Sequence, residues 1–110
     1  MKDVSGNELL QVLGTLANPH RLRVVSALAE EPNYVSRLAR ELGISRALLQ
    51  VHLRKLEAAG LVRAHIEVSE DGKAMKFYEV TPFAFRLTPE TIMTATRPLS
   101  VAGELEAELR

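Results

Sequence analysis

Residues 35 to 62 read VSRLARELGISRALLQVHLRKLEAAGLV, and their apolar positions carry the period of two short helices. Val35, Leu38, Ala39 and Leu42 fall at i, i+3, i+4 and i+7, the buried stripe of one amphipathic helix. Gly43 stops that helix, because glycine enters a left-handed C-terminal turn without strain. Ser45 offers a hydroxyl to cap a second helix. Its inward positions are Leu49, Leu53 and Leu56, and its outward positions are Arg46, Ala47, Gln50, Val51 and Arg54. Two helices joined this tightly, with an Arg and a Gln near the start of the second, match the helix-turn-helix geometry that sets side chains into a major groove. The segment therefore predicts duplex DNA as partner.

Charge follows the same segment. The 110-residue chain has a formal net charge of zero. Between Asn33 and Arg63, however, Arg37, Arg40, Arg46, Arg54, Lys55 and Arg63 face only Glu41 and Glu57, a local excess of +4. Residues 1–32 carry −1 and residues 64–110 carry −3. Positive potential is thus confined to the helix pair, enough to hold phosphates with a moderate dependence on salt.

Upstream, Asn7 to Ala17 predicts a first helix with Leu9, Leu10, Leu13, Leu16 and Ala17 apolar. That helix is apolar over more than one side, which suits a deep core position or, the favoured reading, an oligomer interface. Asn18-Pro19 supplies an N-cap and first helical position for a second helix with Leu22, Val25 and Ala29 at helical spacing, closed by Glu31-Pro32-Asn33.

Downstream, Ala59-Gly60 ends the reading helix, and the alternation of Val62, Ala64, Ile66 and Val68 with Arg63, His65, Glu67 and Ser69 predicts a strand. Asp71-Gly72 predicts a two-residue hairpin turn, which pairs Val68 with Met75, Ile66 with Phe77 and Glu67 with Lys76. A hairpin in this place is a wing, with Lys73 and Lys76 available to phosphates. Phe83 to Leu87 suits another short strand. Thr88-Pro89-Glu90 opens a helix that Pro98 breaks, and a further helix from Ser100 carries Val101, Leu105 and Leu109 on one stripe. The expected fold class is mainly α with a small β-hairpin, a winged helix-turn-helix. Residues 1–88 form the DNA-binding domain and residues 89–110 a helical tail for dimerisation.

The absence of cysteine excludes disulfides and thiolate metal sites. No apolar run reaches the ~20 residues of a membrane helix, and MKDVSGNELL lacks the apolar core of a signal peptide, so a cytoplasmic protein is expected.

Taken in order, LANPHRLRVVSAL, LARELGISRALLQVHLRKLEAAGLV and VSEDGKAMKFYEVT resemble the ArsR-type winged-helix transcriptional regulators of bacteria and archaea. The resemblance covers about residues 9 to 81. It rests on Asn-Pro-His-Arg-Leu-Arg at Asn18 to Arg23, Leu-Gly-Ile-Ser at Leu42 to Ser45, and the His-Leu-x-x-Leu-x-x-x-Gly-Leu-Val run from His52 to Val62. Related winged-helix families share the last two. It implies a homodimer built on the first and last helices that binds an imperfect inverted repeat and represses transcription. Departures limit what is carried over. Tyr34 and Ser36 stand where many members have a metal-binding Cys-x-Cys, and Glu90 to Pro98 holds no histidine, so no metal or other cofactor is expected. Leu48 stands where the family commonly has a small polar residue, and Glu70 and Asp71 precede the wing lysines.

The expected base-reading residues are Arg46, Ala47 and Gln50; Ser45, Arg54, Lys55, Lys73 and Lys76 are expected on the DNA backbone. Each has a plainer reading. Arg46 suits bidentate pairing with guanine but also a solvated helix start, and Gln50 suits adenine or a phosphate equally. Arg54 and Lys55 lie farther from the helix start and suit phosphates. His52 reads as half-buried structure against the adjacent helix, and His20 and His65 as surface residues. Tyr34 suits a phosphate bond or a partly buried core position. A catalytic role finds no support in a nucleophile, a metal-spaced histidine pair or a glycine-rich phosphate loop. The stronger rival is a winged helix that binds protein instead of DNA, which Leu48 and Val51 keep open.

Overall fold

A computed structural model describes residues 4–98, so the expected helix from Ser100 lies outside the described residues. The elements are α1 (Gly6–Leu16), α2 (Pro19–Glu30), β1 (Asn33–Tyr34), α3 (Val35–Leu42), α4 (Arg46–Ala58), β2 (Val62–Val68), β3 (Ala74–Val80) and α5 (Pro89–Thr96). The described residues fall into two compact units: residues 12–83, and residues 4–11 with 84–98.

In the larger unit, leucines and valines of the three middle helices fill one core. Val24 and Leu28 of α2, Leu38 and Ala39 of α3, and Leu49, Leu53 and Leu56 of α4 are buried, as are Leu61 just before β2 and Val62 and Tyr78 of the sheet. The expected inward face of α2 is out of phase. Leu22 is 54% exposed while Val24 and Leu28 are buried. Arg21 explains the shift: its guanidinium turns inward onto Thr15 and His52, so the inner stripe carries a cation that a count of apolar residues passes over.

The sheet has three antiparallel strands in the order β1-β3-β2, one more than the expected hairpin. Asn33 and Tyr34 pair with Tyr78 and Phe77. The β2–β3 register also differs from expectation by one residue: Ile66 stands opposite Lys76, His65 opposite Phe77 and Val68 opposite Ala74. The cause lies in the turn. Ser69 donates its N–H to the Lys73 carbonyl at 2.8 Å, and Gly72 donates back to Ser69 at 2.9 Å, closing a three-residue loop of Glu70, Asp71 and Gly72. Among the described residues only glycines have positive φ, and Gly72 takes +85°. Asp71 does not enter the left-handed region, so the loop is a turn followed by one left-handed glycine and not the two-residue type I′ turn. A one-residue slip exchanges the faces. Arg63 accordingly meets Glu79 at 3.0 Å. Ile66 and Val68 share the β2 face of buried Val62 but are 61% and 69% exposed, because they lie toward the wing tip, away from the Val62 end of the strand.

The expected strand at Phe83 to Leu87 has no regular structure. Thr81 makes the last ladder bond, to the Leu61 carbonyl at 3.0 Å, and Pro82 has no N–H to extend it. In the smaller unit, Thr88 and Thr91 form a reciprocal capping box at the start of α5, with Pro89 in its first turn.

Candidate nucleic-acid interface

Local signals set α4 in place. Gly43, at φ +68°, ends α3, and the Ile44 N–H reaches back to the Ala39 carbonyl at 3.1 Å. These bonds satisfy carbonyls that a helix end leaves open. Ser45 then caps α4, its Oγ accepting the Leu48 N–H at 3.0 Å. A serine hydroxyl that accepts this bond keeps its own proton to donate outward. At the far end the Leu61 N–H bonds the Leu56 carbonyl at 2.9 Å, which turns the chain directly into β2.

The Asn-Pro-His-Arg-Leu-Arg segment holds this pair of helices from behind. Asn18 caps α2 by accepting the Arg21 N–H at 3.2 Å. Arg21 donates Nε–H to Nδ1 of His52 on α4 at 3.2 Å and Nη1–H to the Thr15 carbonyl at 3.2 Å. The His20 ring stacks on the His52 ring at 5.4 Å between centroids. Arg23 donates to the Leu42 carbonyl at 3.1 Å, at the end of α3. One six-residue segment thus ties α2 to both helices of the reading unit. His52 is 5% exposed, and its Nε2 is buried without a hydrogen-bond partner. Because Arg21 is permanently charged, Nδ1 serves as acceptor and the ring is neutral. Burial, then the Arg21 guanidinium and His20, lower its pKa. His20 and His65 are half-buried and have partners, contrary to the surface reading. His65 stacks on Phe77 at 5.8 Å and lies 3.1 Å from Glu67. Tyr34 is half-buried, edge-on to Phe77 at 5.6 Å. The sheet register creates the His65 and Tyr34 contacts with Phe77, and the packing of α2 on α4 creates that of His20 with His52.

On the outer face of α4, Arg46, Ala47, Leu48, Val51, Arg54 and Lys55 are exposed and Gln50 is half-buried. With 3.6 residues per turn, Ala47, Val51 and Arg54 project directly away from the stripe of Leu49, His52, Leu53 and Leu56. Arg46 and Gln50 flank that centre on one side, Leu48 and Lys55 on the other. Ion pairing divides the cations. Arg37 binds Glu31 and Glu41 at 3.3 and 3.0 Å, and Arg63 binds Glu79 at 3.0 Å. Among the described residues Arg40, Arg46, Arg54 and Lys55 have no ion pair. Arg40, exposed at the end of α3, shares their exposure and free charge, although the sequence reading counted it only toward net charge.

The wing is mixed. Lys73 and Lys76 are exposed, and the Lys76 ammonium lies 5.3 Å from the centre of the Tyr78 ring. The Ser69 hydroxyl bonds the Asp71 carboxylate at the tip. That bond, followed by the Lys73 backbone N–H, lowers the Asp71 pKa and keeps the tip negative.

A family model described as bacterial regulatory protein, arsR family, matches residues 18–64, from the α2 cap to β2. An uncharacterised HTH-type transcriptional regulator of Methanocaldococcus jannaschii is 38% identical over 77 residues, covering 70% of this chain and 80% of its own length. The transcriptional repressor BigR of Xylella fastidiosa has a similar fold, with a TM-score of 0.60 at 23% identity over 94% of this chain and 89% of its own. So does a homodimeric winged helix-turn-helix DNA-binding domain of Mycobacterium bovis, with a TM-score of 0.60 at 21% identity over 94% and 85%. With 38% identity over 77 residues that cover 80% of the Methanocaldococcus jannaschii relative, and with the capped helix pair and wing in place, this chain belongs to the ArsR family of winged helix-turn-helix regulators.

Proposed function

We propose that the chain is a homodimeric, sequence-specific DNA-binding repressor that recognises an inverted repeat. The observation that carries this reading is the outer face of α4, where Arg46, Arg54 and Lys55 are exposed and without ion pairs among the described residues, while Arg37 and Arg63 are neutralised. A phosphate backbone supplies the missing counter-charge. In this reading Arg46, Ala47 and Gln50 meet base edges, and Ser45, Arg54, Lys55, Lys73 and Lys76 position the backbone, with Ser45 donating its free hydroxyl proton.

Dimerisation draws support from apolar side chains without cover: Leu10 and Leu13 on α1 are 58% and 42% exposed, and Ile92 and Met93 on α5 are 41% and 51% exposed. Residues 1–88 then serve as the reading domain and 89–110 as a dimerising tail. Dimer and repressor roles are also those of the Mycobacterium bovis and Xylella fastidiosa proteins of the same fold.

Selection of duplexes from a random pool by the purified protein, at near-physiological salt, tests the reading. Enrichment of an inverted repeat with half-sites about one helical turn apart is the expected result. Weak, salt-sensitive binding without enrichment would instead favour a protein-binding winged helix, the use to which exposed Leu48 and Val51 also lend themselves.

A further inference from the structure

Leu48 and Val51, 39% and 40% exposed, sit on the same outer face as the unpaired cations and make no contribution to the buried stripe of α4. Ala47 and Val51 are one turn apart on the ridge that projects farthest from the core, and Leu48 is three residues before Val51, so the three side chains form one apolar strip. Arg46, Arg54 and Lys55 surround it, and Gln50 lies at its edge. We infer that this strip reads the C5-methyl groups of thymine, so that the operator half-site places thymines beneath Ala47, Leu48 and Val51. The inference rests on the proposed DNA-binding reading and gives it a base chemistry.

Two physical arguments select this occupant. Thymine is the base that offers a methyl group in the major groove, and small apolar side chains are its natural contacts. Cytosine would place its N4 amino group under the strip instead, and a donor stripped of water without an acceptor is costly. A protein partner fits less well. The strip is three side chains wide and ringed by like charges, whereas a stable protein interface commonly covers about 800 Å² on each partner around an apolar centre.

The test uses the full chain on the inverted repeat obtained by selection, with each thymine replaced in turn by uracil. Uracil keeps the Watson–Crick edge and lacks only the methyl group. Wild-type protein should lose affinity about threefold to fivefold at one or more positions in each half-site, the loss expected for one buried methyl. Val51→Ala and Leu48→Ala, both at exposed positions, should each bind thymine and uracil duplexes alike at the position that residue covers. Equal wild-type affinity for every uracil duplex would overturn the inference while leaving the DNA reading intact. So would a uracil penalty that persists unchanged in Val51→Ala, Leu48→Ala and Ala47→Gly alike, because the methyl would then be read outside the strip. Failure to enrich any repeat would remove the DNA reading and the inference with it.

Discussion

At the scale of single residues, His52 joins stability to pH. Burial, and after it the Arg21 guanidinium and His20, hold its pKa below the ordinary 6.5. Between that ordinary value and the lowered folded one, the unfolded chain binds more protons than the native protein, so stability rises with pH. The contribution is complete above the ordinary histidine range and is lost as pH falls from 6.5 toward the folded value. Urea midpoints measured from about pH 7.5 down to about pH 5 should therefore fall more steeply for the wild type than for His52→Gln, which keeps an acceptor for Arg21 and cannot titrate. Parallel profiles would show that His52 does not carry the slope. The sequence placed His52 against a neighbouring helix but not its partner, because Arg21 lies 31 residues away and only the packing of α2 on α4 joins them. Arg46 belongs to the same scale. Its replacement by Ala should relax preference at one base position per half-site, by about 1 to 3 kcal/mol of discrimination. Uniform weakening across all sequences would instead assign it to the phosphates.

Elements divide by whether their signals are local. The α3–turn–α4 unit was legible because its stripe, its glycine stop and its serine cap all lie within neighbouring turns. Strand β1 was not, since Asn33 and Tyr34 become a strand only by pairing with Tyr78 and Phe77, more than 40 residues later. The wing was legible as a hairpin but not in register, because Ser69 joins the loop and Asp71 avoids the left-handed region. Of the expected outward face of α4, Arg46, Ala47, Val51 and Arg54 are exposed, whereas Gln50 is half-buried and Leu48 and Lys55 join the face. The cations of α3 and β2 could not be sorted without knowing which carboxylates they meet. Backbone conformation gives opposite signs to one substitution. Gly43→Ala forces alanine to φ +68° and should cost about 1 to 2 kcal/mol. Gly14→Ala, within α1 and with open space around its added Cβ, should gain about 0.5 to 1 kcal/mol. Thermal or urea unfolding of both variants reads this directly, and equal effects would deny the conformational cause. The wing makes a separate prediction. Replacing Lys73 and Lys76 with Ala should shallow the log affinity against log salt slope by about 1 for each lysine on a phosphate. An unchanged slope would take the wing out of the interface, leaving the negative Ser69–Asp71 tip clear of the backbone.

At the scale of the whole molecule, affinity for an inverted repeat depends on how many reading helices one particle brings. A two-fold dimer engages both half-sites, and the second engagement is intramolecular, so dimerisation multiplies affinity without any new base contact. The two apolar surfaces available for this can be separated. Leu10→Glu with Leu13→Glu charges α1, and Ile92→Glu with Met93→Glu charges α5; all four side chains are exposed, so neither pair opens a cavity in the core. Each double variant should shift light scattering toward the monomer while keeping the helical circular dichroism of the wild type. Each should also lose affinity for the full repeat far more than for an isolated half-site, because the reading helix itself is untouched. If only the α1 pair dissociates the protein, the interface lies on the first helix and α5 serves another surface. If both variants remain dimeric, the dimer is built elsewhere, and the exposed leucines of α1 lose their proposed role. A variant that becomes monomeric yet still binds the full repeat at wild-type affinity would contradict the two-fold mechanism itself, since the gain from joining two half-sites requires that one particle hold both.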